Sequence, residues 1–228
     1  MENFNFGSFA ADTTVSSSNY LRPYSIYEDV KFDGVDGPTS GTSASGNEWT
    51  RYDVKFSCPE GNYKESIFAP TQKSLERRIL TNASGHESEV PSDFERTVEF
   101  FKYVIRVYNP TGYDKFISVL PKLSTFEQFI EAFKKCMGNP TTTTKLKLGG
   151  STRSGRTYAA IPNFLAVNSQ TKATFIRDQF LGDKVALSAW ELNKKKEYES
   201  ATPTKMAETV KNQPVASDDS NYDILNDL

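Results

Sequence analysis

A chain of 228 residues with 37% hydrophobic and 13% aromatic residues can form one large domain with a substantial core. No apolar run reaches membrane-spanning length, and the N-terminus has no basic start followed by an apolar block, which excludes a transmembrane helix and a signal peptide. Cys58 and Cys136 lie far apart and outside any CxxC pair, so we expect reduced thiols, a cytoplasmic protein and no membrane partner.

Residues 1–19 are predicted to form a flexible arm ahead of a domain that spans residues 20–200. Phe4, Phe6 and Phe9 are spaced through this arm. Either they are incidental in a mobile segment, or they dock on a neighbouring copy and produce self-association.

A meander of three strands is predicted to follow the arm. Residues 20–35 alternate in polarity, with four apolar side chains expected on one face: Tyr24, Ile26, Val30 and Phe32. The stretch DGPTSGTSASGN is typical of a flexible loop. The segments EWTRYDVKFSC and YKESIFAP then alternate as two further strands, with a CPEGN turn between them.

The hydrophobic period then changes to that of helices. Residues 72–80, 92–108 and 124–137 carry apolar residues at helical spacing. Ser92 and Glu95 form a predicted capping box, whereas Ser124 or Thr125 caps the last helix and Gly138 ends it. These helices are predicted to form an insertion over about residues 72–140.

A second pair of strands is predicted after the insertion, as KLKL and RTYAAIPNFLAV around the loop GGSTRSG. Leu146 and Leu148 are expected to face inward, and Lys145 and Lys147 outward. Residues 172–199 include an apolar run of undetermined type, and residues 201–228 are predicted to be a disordered linker and an acidic tail.

Catalytic machinery is not visible in the sequence. The one histidine, His86, lies in the polar stretch NASGHESE, and the loop LGGSTRSGR lacks the Lys-Ser/Thr ending of a phosphate-binding P-loop. No nucleophile–base arrangement and no metal-ligand cluster is present, so we expect a protein without catalytic activity, metal or cofactor.

The outward strand faces instead combine cations with aromatic rings, the combination that single-stranded nucleic acid requires for its phosphates and bases. Alternatively, these lysines and arginines merely solvate one face of an antiparallel sheet. The candidate DNA-binding residues are Trp49, Arg51, Lys55, Lys64, Phe68, Lys145, Lys147, Arg153, Arg156 and Tyr158.

Three strands, a helical connection and two strands is also the order of an OB barrel. We therefore predict an α+β fold: a five-stranded, OB-fold-like antiparallel β-barrel with a helical insertion between its third and fourth strands.

Three stretches of the chain resemble bacteriophage single-stranded DNA-binding proteins: NEWTRYDVKFSCPEGNYKESIFAP, KLKLGGSTRSGRTYAAIPNF and SDDSNYDILNDL, together about a quarter of the sequence. The resemblance implies an OB body that binds single-stranded DNA without strong sequence preference in replication, recombination and repair. It also implies a tail that recruits replication proteins (polymerase, primase or helicase) and competes with DNA for the groove.

The tail after Lys211 contains acids and no basic residue, although the whole chain has a formal charge of only −2. Its acids can mimic phosphates, and its aliphatic side chains can enter a partner's pocket. The predicted partner-binding residues are Asp218, Asp219, Asp223, Ile224, Leu225, Asp227 and Leu228. Alternatively, the end is disordered and its aliphatics are incidental.

Two other functions remain open from the sequence. One is a phage structural or packaged protein that makes protein contacts only, which predicts a large apolar assembly patch. The other is RNA binding through the same barrel, since stacking and phosphate contacts do not distinguish the two sugars.

Overall fold

The computed structural model describes residues 20–81, 84–85, 87–161 and 180–201. The predictions for the arm (1–19), for His86, for residues 162–167 of the last predicted strand and for residues 202–228 of the predicted linker and tail (201–228) lie outside these residues. None of the described helices is both long and apolar enough to span a membrane.

The main element is a five-stranded antiparallel sheet with the spatial order β3-β2-β1-β6-β7. Its strands are β1 (Ser25–Thr42), β2 (Glu48–Cys58), β3 (Gly61–Phe68), β6 (Thr143–Arg153) and β7 (Arg156–Ala160). A separate two-stranded hairpin, β4 (Arg78–Thr81) and β5 (Glu87–Val90), lies between β3 and the helices in sequence. Within the five-stranded sheet, three strands precede the helices α1 to α3 and two follow them, which confirms the predicted order of this sheet and the α+β class.

The central strand β1 departs from the prediction in two respects. A register shift between Tyr27 and Val30, with Asp29 at a positive φ of 51°, changes which side chains face the core. Tyr27, Val30 and Phe32 are therefore buried together, whereas Ile26 faces the other side. The predicted Gly/Ser loop was wrong over most of its length, because β1 continues to Thr42 in register with β2.

Four helices occur in the described ranges: α1 (Asp93–Tyr108), α2 (Pro110–Val119), α3 (Phe126–Met137) and α4 (Ala189–Ala201). The capping box of Ser92 and Glu95 is confirmed, as are the Thr125 cap of α3 and its end at Gly138. The predicted helix over residues 72–80 was wrong. That segment forms one 3-10 turn (Lys73–Leu75) and then strand β4, and Leu75 and Ile79 are exposed instead of buried.

Aromatic rings join the helices to the sheet. Phe32 of β1 packs on Phe56 of β2, Tyr108 of α1 and Phe133 of α3, with ring centroids 5.9–6.0 Å apart. The Tyr108 hydroxyl also donates to the Val30 carbonyl oxygen at 3.2 Å. Removing one such buried ring costs about 3–5 kcal/mol, so the insertion and the sheet are expected to unfold as one unit.

The other face of the sheet is covered along β6 by the segment 180–201. Phe180 is buried beside Lys147 of β6, which forms an ion pair with Glu191 of α4 at 3.1 Å. The predicted loop GGSTRSG was also wrong, because β6 runs on to Arg153. Only Ser154 and Gly155, both at positive φ, form the turn to β7.

The two outer strands of the sheet, β3 and β7, have no backbone ladder between them in the described part of the chain, so the sheet is not closed. Their ends meet through side chains. The Ile161 amide donates to the Tyr63 hydroxyl oxygen at 2.9 Å, and that hydroxyl donates to the Glu65 carboxylate. Burial raises the pKa of Glu65 from 4.5 to about 7, against the opposing effects of Tyr63, the Ile161 amide and Arg153.

We expect the free energy of unfolding to fall as the pH rises from about 4.5 to about 7, because the buried Glu65 carboxyl ionises less readily in the folded chain than in the unfolded chain. The unfolded chain ionises Glu65 near 4.5, whereas the folded chain holds the proton until about 7, so the stabilisation is complete below pH 4.5 and is lost through that window. Because Glu65 is half-buried, the loss should be on the order of 1–2 kcal/mol. Glu65→Gln should remove this component from the free energy of unfolding measured by urea denaturation.

The control is Glu76→Gln, which alters an exposed glutamate outside the contact. If the difference in free energy of unfolding between wild type and Glu65→Gln is constant from pH 4.5 to pH 7.5, Glu65 does not have a raised pKa in the folded protein.

Candidate nucleic-acid interface

The predicted site residues of β2 and β3 share one exposed side of the sheet, which we call the β2–β3 face. Strand pairing sets Arg51 opposite Phe68, Asp53 opposite Ser66 and Lys55 opposite Lys64. Tyr52, Val54 and Phe56 alternate with them and are buried on the opposite side. The predicted placement is therefore confirmed for Trp49, Arg51, Lys55, Lys64 and Phe68.

Trp49 is held in place on this face by three neighbours. Its indole lies across Gly41 of β1, where an added Cβ would come within 2.5 Å of the ring. The Phe68 ring packs edge-on at 6.0 Å between centroids, and the Arg51 guanidinium lies 5.8 Å from the indole centroid. A half-buried ring fixed in this way offers a preformed stacking surface next to a cation.

Gly41 was missed by the sequence analysis, which assigned it to a flexible loop. Its importance comes from its pairing with Trp49 across two strands, and no local pattern reveals that pairing.

The cations of the β2–β3 face are largely paired with carboxylates. Asp53 lies 3.3 Å from Arg51 Nε and 3.1 Å from Lys64 Nζ, and it accepts a hydrogen bond from Ser66 Oγ at 2.8 Å. Lys55 pairs with Asp36 at 2.9 Å. Three cations thus share two carboxylates, which leaves a small positive excess and fixes the cations in place.

The β6–β7 hairpin carries the second group of predicted residues. Arg153 pairs with Arg156 across the two strands, and Ser151 pairs with Tyr158, so both arginines and Tyr158 point to the same side of the hairpin. Tyr158 is 51% exposed. Arg156 forms no ion pair with any other residue in the described ranges, which leaves its guanidinium available to an anionic ligand.

Lys145 and Lys147 of β6 have different environments. Lys145 lies on the surface and pairs with Glu28 at 3.1 Å. Lys147, predicted to face solvent, is only 4% exposed because α4 covers this part of the sheet. The prediction that Lys147 faces solvent, from where it would contact DNA directly, was therefore wrong.

The environment of Lys147 explains how a buried ammonium is tolerated. It bonds to Glu191 and to the Ala186 carbonyl oxygen, and it lies 5.6 Å from the Phe180 ring centroid. Burial acts to raise the pKa of Glu191, but hydrogen bonds from Ser188 and the charge of Lys147 outweigh it and lower that pKa. Glu191 is thus ionised at neutral pH, and its ion pair with Lys147 holds α4 on β6.

The two exposed groups of predicted residues, on the β2–β3 face and on the β6–β7 hairpin, provide aromatic rings and cations. Within the described ranges, no three His, Cys, Asp or Glu side chains are placed to hold a metal ion. The predicted tail residues Asp218, Asp219, Asp223, Ile224, Leu225, Asp227 and Leu228 lie outside the described residues.

Comparison of the chain with protein-family models, with curated proteins and with solved structures finds no match. The function is therefore inferred from the geometry of these two surfaces.

Proposed function

We propose that this chain is a single-stranded DNA-binding protein of viral DNA replication, recombination and repair, active in the host-cell cytoplasm and without catalytic activity. The observation that carries the proposal is the β2–β3 face, where Trp49, Phe68 and Arg51 are packed into a fixed aromatic and cationic surface. Unpaired bases stack on such rings at about 1–3 kcal/mol per base, whereas the bases of a duplex are stacked on each other.

The strand arrangement supports the same proposal. OB folds bind oligonucleotides on the face of their second and third strands and on the loops that join strands one to two and four to five. Here the corresponding features are the β2–β3 face, the β1–β2 hairpin at residues 43–47 and the β6–β7 hairpin. We propose that the sheet is a partly open, OB-like barrel whose outer strands meet at Tyr63 and Ile161.

In this proposal the aromatic side chains stack on bases and the cations contact phosphates. Trp49, Phe68 and Tyr158 provide the rings, and the phosphate contacts come from Arg51, Lys55, Lys64, Lys145, Arg153 and Arg156. Asp36 and Asp53 hold their cations in position until phosphates replace them as partners.

The acidic tail is proposed to bind replication proteins. Its aspartates provide charge complementarity to a basic partner surface, and Ile224, Leu225 and Leu228 provide apolar anchors.

Preferential binding to single-stranded DNA is the first expected result. Anisotropy of labelled oligo-dT should show tighter binding than a duplex of equal length. Each phosphate neutralised contributes about −0.7 to the log–log salt slope, so the six proposed phosphate-binding cations (Arg51, Lys55, Lys64, Lys145, Arg153 and Arg156) give a slope no steeper than about −4.2. Equal affinity for duplex and single strand would contradict the proposal, and tighter binding of oligo-U than of oligo-dT would identify RNA as the ligand.

Loss of a stacking ring should weaken DNA binding without unfolding the protein. Trp49→Ala and Tyr158→Ala are each expected to weaken oligo-dT binding by on the order of 1–3 kcal/mol, because each removes a surface on which a base stacks. The matched control is Trp190→Ala on α4, which removes a tryptophan that is 56% exposed and outside both groups. If Trp190→Ala weakens binding as much as Trp49→Ala does, the assignment of the face is wrong.

Removing the Asp53 charge should strengthen DNA binding. Asp53→Asn keeps an oxygen that can accept from Ser66 but releases Arg51 and Lys64 from their carboxylate. We expect oligo-dT affinity to rise by about three- to tenfold at low salt, and by less as salt screens the charges. Glu131→Gln is the control, since it breaks an ion pair with Lys134 on α3. A decrease in affinity for Asp53→Asn would show that the carboxylate itself is needed for binding.

A further inference from the structure

An open groove of about 560 Å³ lies between α2 and α3, in the helical insertion. Its apolar lining includes Val119 at the end of α2, Leu123 in the connection between the two helices, and Ala132 of α3. These three side chains are only half-buried, although Leu123 and Ala132 also pack against the core. The groove therefore presents an aliphatic floor to the surface, in contrast to the aromatic β2–β3 face.

Two lysines, Lys115 of α2 and Lys135 of α3, also line this groove, and both are exposed. Neither forms an ion pair with another residue in the part of the chain that the structure describes, whereas the neighbouring Lys134 pairs with Glu131. Two unpaired cations beside an aliphatic floor favour a ligand that combines negative charge with aliphatic side chains.

We propose that this groove binds residues 217–228 of the same chain. That segment has the complementary composition: four aspartates, no basic residue, and the aliphatic side chains of Ile224, Leu225 and Leu228. The aspartates pair with Lys115 and Lys135, while the aliphatic side chains lie on Val119, Leu123 and Ala132.

The chain is long enough for this contact. Sixteen residue steps separate the end of α4 at Ala201 from position 217. At about 3.4 Å per step they can span up to about 54 Å. A domain of this size has a radius of gyration of about 16 Å, so the segment can reach a large part of its surface.

Charge favours this groove over the β2–β3 face as the binding site for the segment. On that face, Lys55, Lys64 and Arg51 already have carboxylate partners, which an incoming aspartate would have to displace. Lys115 and Lys135 require no such exchange.

Binding of the segment to this groove does not rest on the proposed DNA-binding function, because it can be present or absent whether or not the chain binds DNA.

Carbodiimide cross-linking of the full-length chain tests the proposal, because it joins only carboxylates and amines that are already in contact. A mixture of isotopically light and heavy protein distinguishes links within one chain from links between copies. Mass spectrometry should find the aspartates of residues 217–228 joined to Lys115 and Lys135 of the same chain, with a yield that falls at high salt. Links mainly to Lys55 and Lys64, links spread over all exposed lysines, or links between copies would each overturn the proposal.

Variants separate binding from the loss of a reactive amine. Lys115→Glu leaves Lys135 able to react but replaces an attraction by a repulsion, so the tail–Lys135 link should fall by about fivefold. Leu225→Asn, which changes no charge, should lower both links by about threefold because it removes an apolar contact. The control Lys31→Glu, at an exposed lysine of β1, should leave both yields unchanged. An unchanged tail–Lys135 link in Lys115→Glu would overturn the proposal, as would an equal loss in Lys31→Glu.

Discussion

The packing of Phe32 against the helices is the contact on which the rest of the structure depends. Phe32 lies on the central strand, yet its ring contacts Phe56 of the next strand, Tyr108 of α1 and Phe133 of α3. Further rings extend this cluster, since Phe101, Phe116 and Phe129 surround Phe133 or one another. Because one face of the sheet is used for this core, any ligand site on the sheet must lie on the other face.

That other face is divided into two parts. Along β6 it is covered by α4, with Lys147 and Glu191 forming a buried ion pair, and along β2 and β3 it is open. Breaking a buried pair by removing one partner costs about 3–5 kcal/mol, so the covering is a stable part of the fold. The proposed DNA-binding surface is consequently limited to the β2–β3 face, the β6–β7 hairpin and the surface residue Lys145.

Pairing of charges distinguishes the two proposed binding surfaces. On the β2–β3 face, the carboxylates of Asp53 and Asp36 position the cations, which suits a ligand that brings many phosphates and stacking bases together. In the α2–α3 groove, Lys115 and Lys135 form no ion pair with any described residue and lie beside aliphatic side chains, which suits a short acidic segment. The same chain can therefore offer separate surfaces to nucleic acid and to its own tail, because the two ligands differ in their apolar groups as well as in their charge.

The sequence by itself determined the local elements whose signals are contained in a few consecutive residues. Alternation identified β2 and β3 and the correct side for Trp49, Arg51 and Lys64, and the capping box at Ser92 fixed the start of α1. The prediction from the sequence failed for residues 72–80. Leu75 and Ile79 have helical spacing, but both are exposed and do not pack in the core.

Tertiary structure alone decided which outward side chains reach solvent. Lys145 and Lys147 have the same alternation signal, but α4, more than 40 residues later, covers only Lys147. Likewise, the sequence could not reveal that Gly41 supports the Trp49 ring, or that Asp53 joins Arg51 to Lys64. Alternation gives the face of a strand, whereas burial and charge pairing depend on which distant segment packs against that face.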